Sequence, residues 1–419
     1  MTVPTQDAHA RLRARADQVH AAYAASVAQG LALNMTRGKP GAAQLDLANA
    51  MLTIVTPANT TEGTDCRNYG GLDGLPAARA LMAGIMDVQP EQVVIGGNAS
   101  LTLMHDCLLF ALLHGVPGGD APWSAAPIKW ICPVPGYDRH FKILAHYGVE
   151  MVPVAMHADG PDMDAVEALV AADAQIKGLW LVPRYSNPTG ATCSDATIQR
   201  LAHMPTAAAD FRIFNDDAYA VHHLVSEPAP RTPLLAAAEA AGNADRVFTF
   251  GSTSKISFAG GGISAFAASP ANRAWLLGHR GFQTIGPDKL NQLRHVRFFG
   301  DIHGVNRHMA RHAAIIAPKF ATVLEVLERE LVGLAEWTRP EGGYFISVDV
   351  PAGLAARVVE LADQAGVQLT PAGATYPHQR DPNNRNIRLA PTLPPMAEVT
   401  QAAELFALCV QVAVLEQRA

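Results

Sequence analysis

The sequence predicts an α/β protein with a large unit built on a mostly parallel sheet flanked by helices, plus a smaller α+β unit. Three observations lead there. The chain has 419 residues, more than one hydrophobic core usually organises. Its middle alternates short apolar or β-branched runs with longer alanine-rich stretches, the pattern of strands joined by covering helices. A long apolar-periodic stretch near residues 310–331 then separates that region from strands of another layer.

Taken in order, Asp7 to Gln29 is alanine-rich and free of glycine and proline, which favours a helix that Gly30 can end. Asn34 to Pro40, NMTRGKP, is polar, and Gly38 and Pro40 place a loop there. Strands are expected at Gln92 to Gly96, Ile128 to Pro133, Val149 to Met156, Gly178 to Pro183, Arg212 to Asn215, Val247 to Phe250 and Ile263 to Ala268. After the helix expected at Ala310 to Leu331 come strands at Tyr344 to Val350, Gln368 to Pro371 and Asn386 to Leu389. The division that follows is an N-terminal arm with part of the small unit at 1–48, the large unit at 49–312 and the small unit at 313–419.

Composition removes several classes. Apolar residues make up 49% and charged residues 17%, with a net charge of −6. This is ordinary for a globular enzyme and argues against a nucleic-acid surface. The five cysteines, Cys66, Cys107, Cys132, Cys193 and Cys409, lack paired spacing, so neither a disulfide framework nor a zinc knuckle is expected and a reducing cytoplasm is the natural compartment. Met1 to Arg15 lacks the apolar core of a signal peptide. No stretch is expected to span a bilayer.

Chemistry concentrates in three segments. In Val247 to Ala268, VFTFGSTSKISFAGGGISAFAA, a strand runs into Ser252, Thr253, Ser254 and Lys255 and then a glycine run. Such a lysine is either an ordinary turn lysine or an amine able to form an imine with a bound aldehyde, with hydroxyls and free N–H groups nearby for a phosphate. Tyr185 to Gly190, YSNPTG, is a turn after an apolar run. Phe214 to Tyr219, FNDDAY, sets two acids at a strand end, either as caps or at the edge where open α/β sheets hold ligands. His308 and His312 stand four apart with no acid between them, so a solvated helix face is expected instead of a metal site. Gly260 to Gly262 lacks the spacing of a dinucleotide fingerprint.

These segments, in this order with NYGG at 68, GGNASL at 96, PVPGYD at 133 and NIRLAPT at 386, resemble the fold-type I pyridoxal-phosphate aminotransferases, specifically the aspartate aminotransferase-like branch, over nearly the whole chain. The resemblance implies pyridoxal 5'-phosphate as cofactor, with Lys255 as the Schiff-base lysine and Asp216 as the acid pairing with the pyridine nitrogen. Asp217 is its neighbour, and spacing to Tyr219 favours Asp216. Tyr219 and Asn187 match the groups that bond the ring's phenolic oxygen, and Tyr137 matches the stacking aromatic. Ala99, Ser100 and Leu101 open a helix whose N–H groups can receive the phosphate, and Ser252 adds a hydroxyl. Tyr69 matches a phosphate ligand given by a neighbouring subunit, which implies a homodimer with shared sites. Arg388 matches the arginine that binds the substrate's α-carboxylate, with Gly38 in the loop closing over it and Arg37 adding charge.

The sequence departs from that pattern where relatives carry a phosphate-clamping arginine, for here stand Ile263 and Ser264. The reader of a distal carboxylate is open among Arg294, Arg297, Lys289 and Arg184. The reaction implied is amino transfer by a ping-pong Schiff-base mechanism, with L-aspartate and 2-oxoglutarate as the expected pair. Transamination of aromatic amino acids, β-elimination, or a non-catalytic amino-acid sensor on the same fold remain alternatives.

Overall fold

The computed structural model describes residues 6–61 and 63–417. The outermost residues of the expected segments, 1–5 of 1–48 and 418–419 of 313–419, lie outside the described residues, as does residue 62. In chain order the strands are β1 (Leu33–Asn34), β2 (Val93–Ile95), β3 (Lys129–Val134), β4 (Glu150–His157), β5 (Gly160–Pro161), β6 (Ile176–Leu181), β7 (Arg212–Asp216), β8 (Val247–Ser252), β9 (Ser264–Ala267), β10 (Glu336–Trp337), β11 (Ile346–Asp349), β12 (Val367–Gln368) and β13 (Asn386–Leu389).

Eight of them form one sheet in the order β2-β9-β8-β7-β6-β3-β4-β5. Neighbours from β8 through β7, β6 and β3 to β4 are parallel, whereas β9 runs against both β2 and β8 and β5 runs against β4. The central strands are apolar on both faces, as sheets covered by helices on both sides require. On one face Trp130, Phe214, Phe248 and Phe266 meet Leu103, Leu108, Phe141 and Leu276 from covering helices. On the other, Ile131, Leu179 and Ile213 meet Val166, Ile198 and Leu234. A separate core joins Leu12 and Val19 near the N-terminus to Phe320, Val323, Ile346, Ile387, Phe406 and Val410. It contains the antiparallel set β10-β11-β13 and the parallel pair β1-β12.

The expected strands are present, with slightly different ends. Four expectations need correction. The first helix is two, Gln6–Ala14 and Ala16–Val27, divided at Arg15, whose backbone leaves helical geometry (φ −117°, ψ 19°). The break turns Leu12 and Val19 separately into one core. The long helix begins earlier, at Ile302, because Asp301 caps it by accepting the Gly304 N–H at 2.9 Å. His308 and His312 do not lie on a solvated face, for both are buried at the junction with the lysine-bearing turn. Finally, Met396–Glu416 is long and apolar enough to cross a membrane, yet it is a core helix, with Val399, Phe406, Cys409 and Val410 buried in the smaller core.

Candidate active site

Parallel strands deliver their C-terminal ends to one edge of a sheet, and loops leaving that edge share a crevice. Here that crevice is a cavity of about 600 Å³ between the two cores. Tyr137 follows β3, Asn187 follows β6, Asp216 ends β7, and Ser252 ends β8 just before Lys255. All five line the cavity, together with Tyr219, Ala99, Ser100 and Leu101. Arg388 of β13, with Arg37 and Gly38 from the N-terminal loop, closes the opposite wall. The cavity thus gathers every residue singled out from the sequence as catalytic, cofactor-binding or substrate-binding except Tyr69.

Lys255 places Nζ 5.0 Å from the centre of the Tyr219 ring. Burial holds its pKa below the ordinary lysine value, and the Asp216 carboxylate opposes that shift. The net shift eases loss of the ammonium proton, and the neutral amine is the form able to attack a carbonyl or accept a proton. Tyr219 is buried and its phenol is pushed well above its ordinary pKa, first by burial and then by Tyr137 and Asp216. It therefore stays a hydrogen-bond donor.

The two adjacent acids differ in their partners. Asp217 is engaged by Arg231 at 2.6 and 2.8 Å, away from the cavity. Asp216 turns into the cavity, where its Oδ2 lies 2.9 Å from His140 Nε2. The His140 ring stacks on Trp180 with centres 4.2 Å apart and planes within 8°. Asp216 Oδ1 is buried and has no hydrogen-bond partner. A buried carboxylate oxygen without a donor is costly, and a protonated ring nitrogen is one group that would satisfy it.

Arg388 is held by several neutral and charged acceptors. Its Nη1 donates to Asn187 Oδ1 at 3.1 Å and Asp138 Oδ1 at 3.2 Å, and Nη2 to Thr370 Oγ1 at 3.2 Å. The guanidinium lies over the Phe345 ring at 4.7 Å. Its Nε is buried without a partner, which leaves a donor for an incoming carboxylate. Gly38 rests on the same ring, since a Cβ there would fall 2.4 Å from Phe345 Cζ.

At the other end, Ala99 has extended backbone and the helix Ser100–His114 starts at the cavity. Ser254 Oγ donates to the Asn98 carbonyl at 2.7 Å, and Ser252 Oγ lies 3.3 Å from Ser254 Oγ. Ile263 is buried, and Ser264 donates to the Gly97 carbonyl at 3.0 Å, so neither replaces a clamping arginine. The candidates for a distal carboxylate lie elsewhere in this chain. Arg184 is buried and donates to the Ala229 carbonyl. Lys289 donates to the Gly70 carbonyl at 2.7 Å, Arg294 to Asn291 at 3.4 Å and Arg297 to the Asn59 carbonyl at 3.4 Å. Tyr69 is 83% exposed beside Lys289 and Ile285 in a separate depression. The additional cations lining the main cavity are Lys39, Arg139 and Lys142. Lys39 and Asp138 lie inside the segments NMTRGKP and PVPGYD but were not singled out there, and no local motif marked Arg139, Lys142, His140, Thr370 or Phe345. Among the described residues no group of three or more His, Cys, Asp or Glu could hold a metal ion.

Comparison with known proteins agrees with this geometry. Residues 5–419 match the family model described as aspartate amino-transferase. The chain is 51% identical to a putative aminotransferase of Mycolicibacterium smegmatis, covering 94% of each. It is 49% identical to the aspartate aminotransferase of Corynebacterium glutamicum, covering 93% of this chain and 91% of that one. A crystal structure of an aspartate transaminase from the same organism superposes with a TM-score of 0.95 at 47% identity, covering 98% and 97% of the two chains. A match of this length, and identity of this order over nearly the whole chain, mean that the chain belongs to the aspartate amino-transferase family.

Proposed function

We propose that the chain transfers the amino group of L-aspartate to 2-oxoglutarate, with pyridoxal 5'-phosphate held by Lys255. The observation that carries this reading is the buried, partnerless Oδ1 of Asp216 in the same cavity as Lys255 and Arg388. When bound, the cofactor supplies an aldehyde for an amine and a ring that withdraws electrons from the substrate's Cα. Asp216 would keep that ring's nitrogen protonated, Tyr137 would cover a ring face, and Tyr219 and Asn187 would donate toward its phenolic oxygen. The start of the helix Ser100–His114, with Ser252, receives the phosphate. Arg388 binds the α-carboxylate, with Arg37 and Gly38 above it. This would orient Cα toward Lys255, whose amine, when neutral, could accept its proton.

The reading divides the chain into a cofactor-holding unit at 49–312 and a substrate-closing unit made of 313–419 with part of 1–48. It includes a homodimer. Tyr69, 83% exposed, sits on a surface that also exposes Ile285 and Phe282, and a partner covering it would receive that phenol at its own phosphate. A cytoplasmic location fits a chain whose five cysteine side chains are buried as thiols in its cores and loops.

The test is visible absorption of the purified protein loaded with pyridoxal 5'-phosphate, before and after L-aspartate, beside Lys255→Ala. Conversion of the wild-type band by aspartate and its restoration by 2-oxoglutarate are expected, with the variant unable to form the lysine-linked band. A wild-type band that aspartate leaves unchanged would remove the donor assignment. No band at all would remove the role of Lys255.

A further inference from the structure

The turn that carries Lys255 leaves main-chain groups to be satisfied from outside. Ile256 and Ser257 both donate to the Thr253 carbonyl, at 2.9 and 2.8 Å. Among the described residues no main-chain N–H reaches the carbonyls of Lys255 and Ile256. Side chains from distant segments do so. Tyr344 Oη donates to the Lys255 carbonyl at 3.2 Å, and His308 Nε2 lies 2.8 Å from the Ile256 carbonyl.

The direction of these bonds is set by Gln44. Its Oε1 accepts the Gly41 N–H at 3.1 Å, so its Nε2 is the donor to both Tyr344 Oη and His312 Nδ1, each at 3.0 Å. Tyr344 therefore accepts from Gln44 and has its own proton for Lys255. His312, accepting at Nδ1, carries its proton on Nε2, 3.0 Å from His308 Nε2. Gln44, Tyr344 and His312 are fully buried and His308 nearly so. Burial holds both imidazoles below the ordinary histidine pKa, His312 to about 3, and both rings lie against the Ile256 carbonyl. His222 packs edge-on to Tyr344 at 5.6 Å and its ring also bears on the Lys255 main chain as a second, weaker neighbour of that carbonyl.

We propose that Tyr344, oriented by Gln44, is a positioning residue for Lys255: a one-way chain from the Gly41 N–H through Gln44 and Tyr344 fixes the peptide from which the reactive side chain extends. The chain starts three residues beyond Gly38, so it also ties that peptide to the loop above the substrate carboxylate. A lysine that alternates between bound and free states needs a stationary anchor, because its side chain is flexible and its own turn supplies no donor for this carbonyl. The inference rests on the reading of Lys255 as the reactive amine.

Tyr344→Phe removes one hydroxyl and keeps the ring. Gln44→Glu is isosteric but cannot donate, so it accepts from Tyr344 and draws that proton away from Lys255. Each is expected to speed hydrogen exchange at Ile256 and Ser257 in the cofactor-free protein by about tenfold, while amides in the central sheet are unaffected. In the loaded protein, kcat falls by about tenfold with KM nearly unchanged, and the pH midpoint of the visible band moves by about half a unit. The double variant is expected to be no worse than either single one, because both cut the same chain. Wild-type exchange and an unmoved midpoint in Tyr344→Phe would overturn the proposal, as would fully additive effects. Should Gln44→Glu fail to fold, the exchange and midpoint of Tyr344→Phe decide alone. A wild-type protein with no visible band instead defeats the role of Lys255 itself, and is distinguished by that.

Discussion

Arg388, to which the proposed function gives the substrate carboxylate, is held in place by its own neighbours. Asn187, Asp138 and Thr370 each accept from the guanidinium, and Phe345 supports its face. The fork therefore loses little rotamer freedom when a carboxylate binds. Arg388→Lys keeps the charge but cannot span these acceptors, so KM for the amino acid is expected to rise by roughly 10- to 100-fold, with a smaller change in kcat, in steady-state assays. Arg388 and Asp216 were legible as candidates through local motifs, and both line the cavity. His140 and Thr370 were not, since each meets its partner across the fold and no spacing encodes that meeting. His308 and His312 misled for a related reason. A four-residue spacing says that two rings share a helix face and says nothing of what covers that face.

At the scale of elements, hydrophobic runs gave the strands of the large sheet because strands buried on both sides need no alternation to be recognised. Caps and breaks were harder to see. Asp301 opens a helix ahead of a polar turn that weakens the apolar period, and nothing in the alanine-rich N-terminus marks Arg15 as the break. The pairing of β3 and β6 contains a feature that composition hides altogether. Trp130 lies opposite Gly178, and a Cβ on that glycine would fall 2.4 Å from the indole ring. The absent side chain is what admits the largest residue of the core. Gly178→Ala is accordingly expected to destabilise the fold by about 1–3 kcal/mol through overpacking, measured by denaturant unfolding. An unchanged midpoint would mean that the indole has another rotamer open to it.

For the molecule as a whole, two cores meet over one cavity, and that junction concentrates buried histidines. His222, His223, His295, His308 and His312 are all held below the ordinary value by burial, His223 and His295 to about 4 and His312 to about 3. The unfolded chain binds these protons near pH 6.5, roughly the free imidazole value. The folded chain refuses them until the pH is much lower. Between those limits the unfolded state holds more protons, so stability is complete above the free value and falls as the solution is acidified through that window. Melting temperature is expected to decline from about pH 6.5 toward 4, and His312→Asn should flatten part of the slope; a flat profile would mean that these rings are wetted in solution. The stack of His140 on Trp180 has an optical consequence. Trp123, Trp130 and Trp180 stand ring to ring, 5.9 and 5.4 Å apart, and the series ends at the imidazole that bonds Asp216. A chromophore resting against Asp216 would therefore lie within energy-transfer range of these three indoles and is expected to quench their share of the protein's ultraviolet emission. The sheet that builds the cavity is also its built-in lamp, so occupancy can be followed by fluorescence without any label.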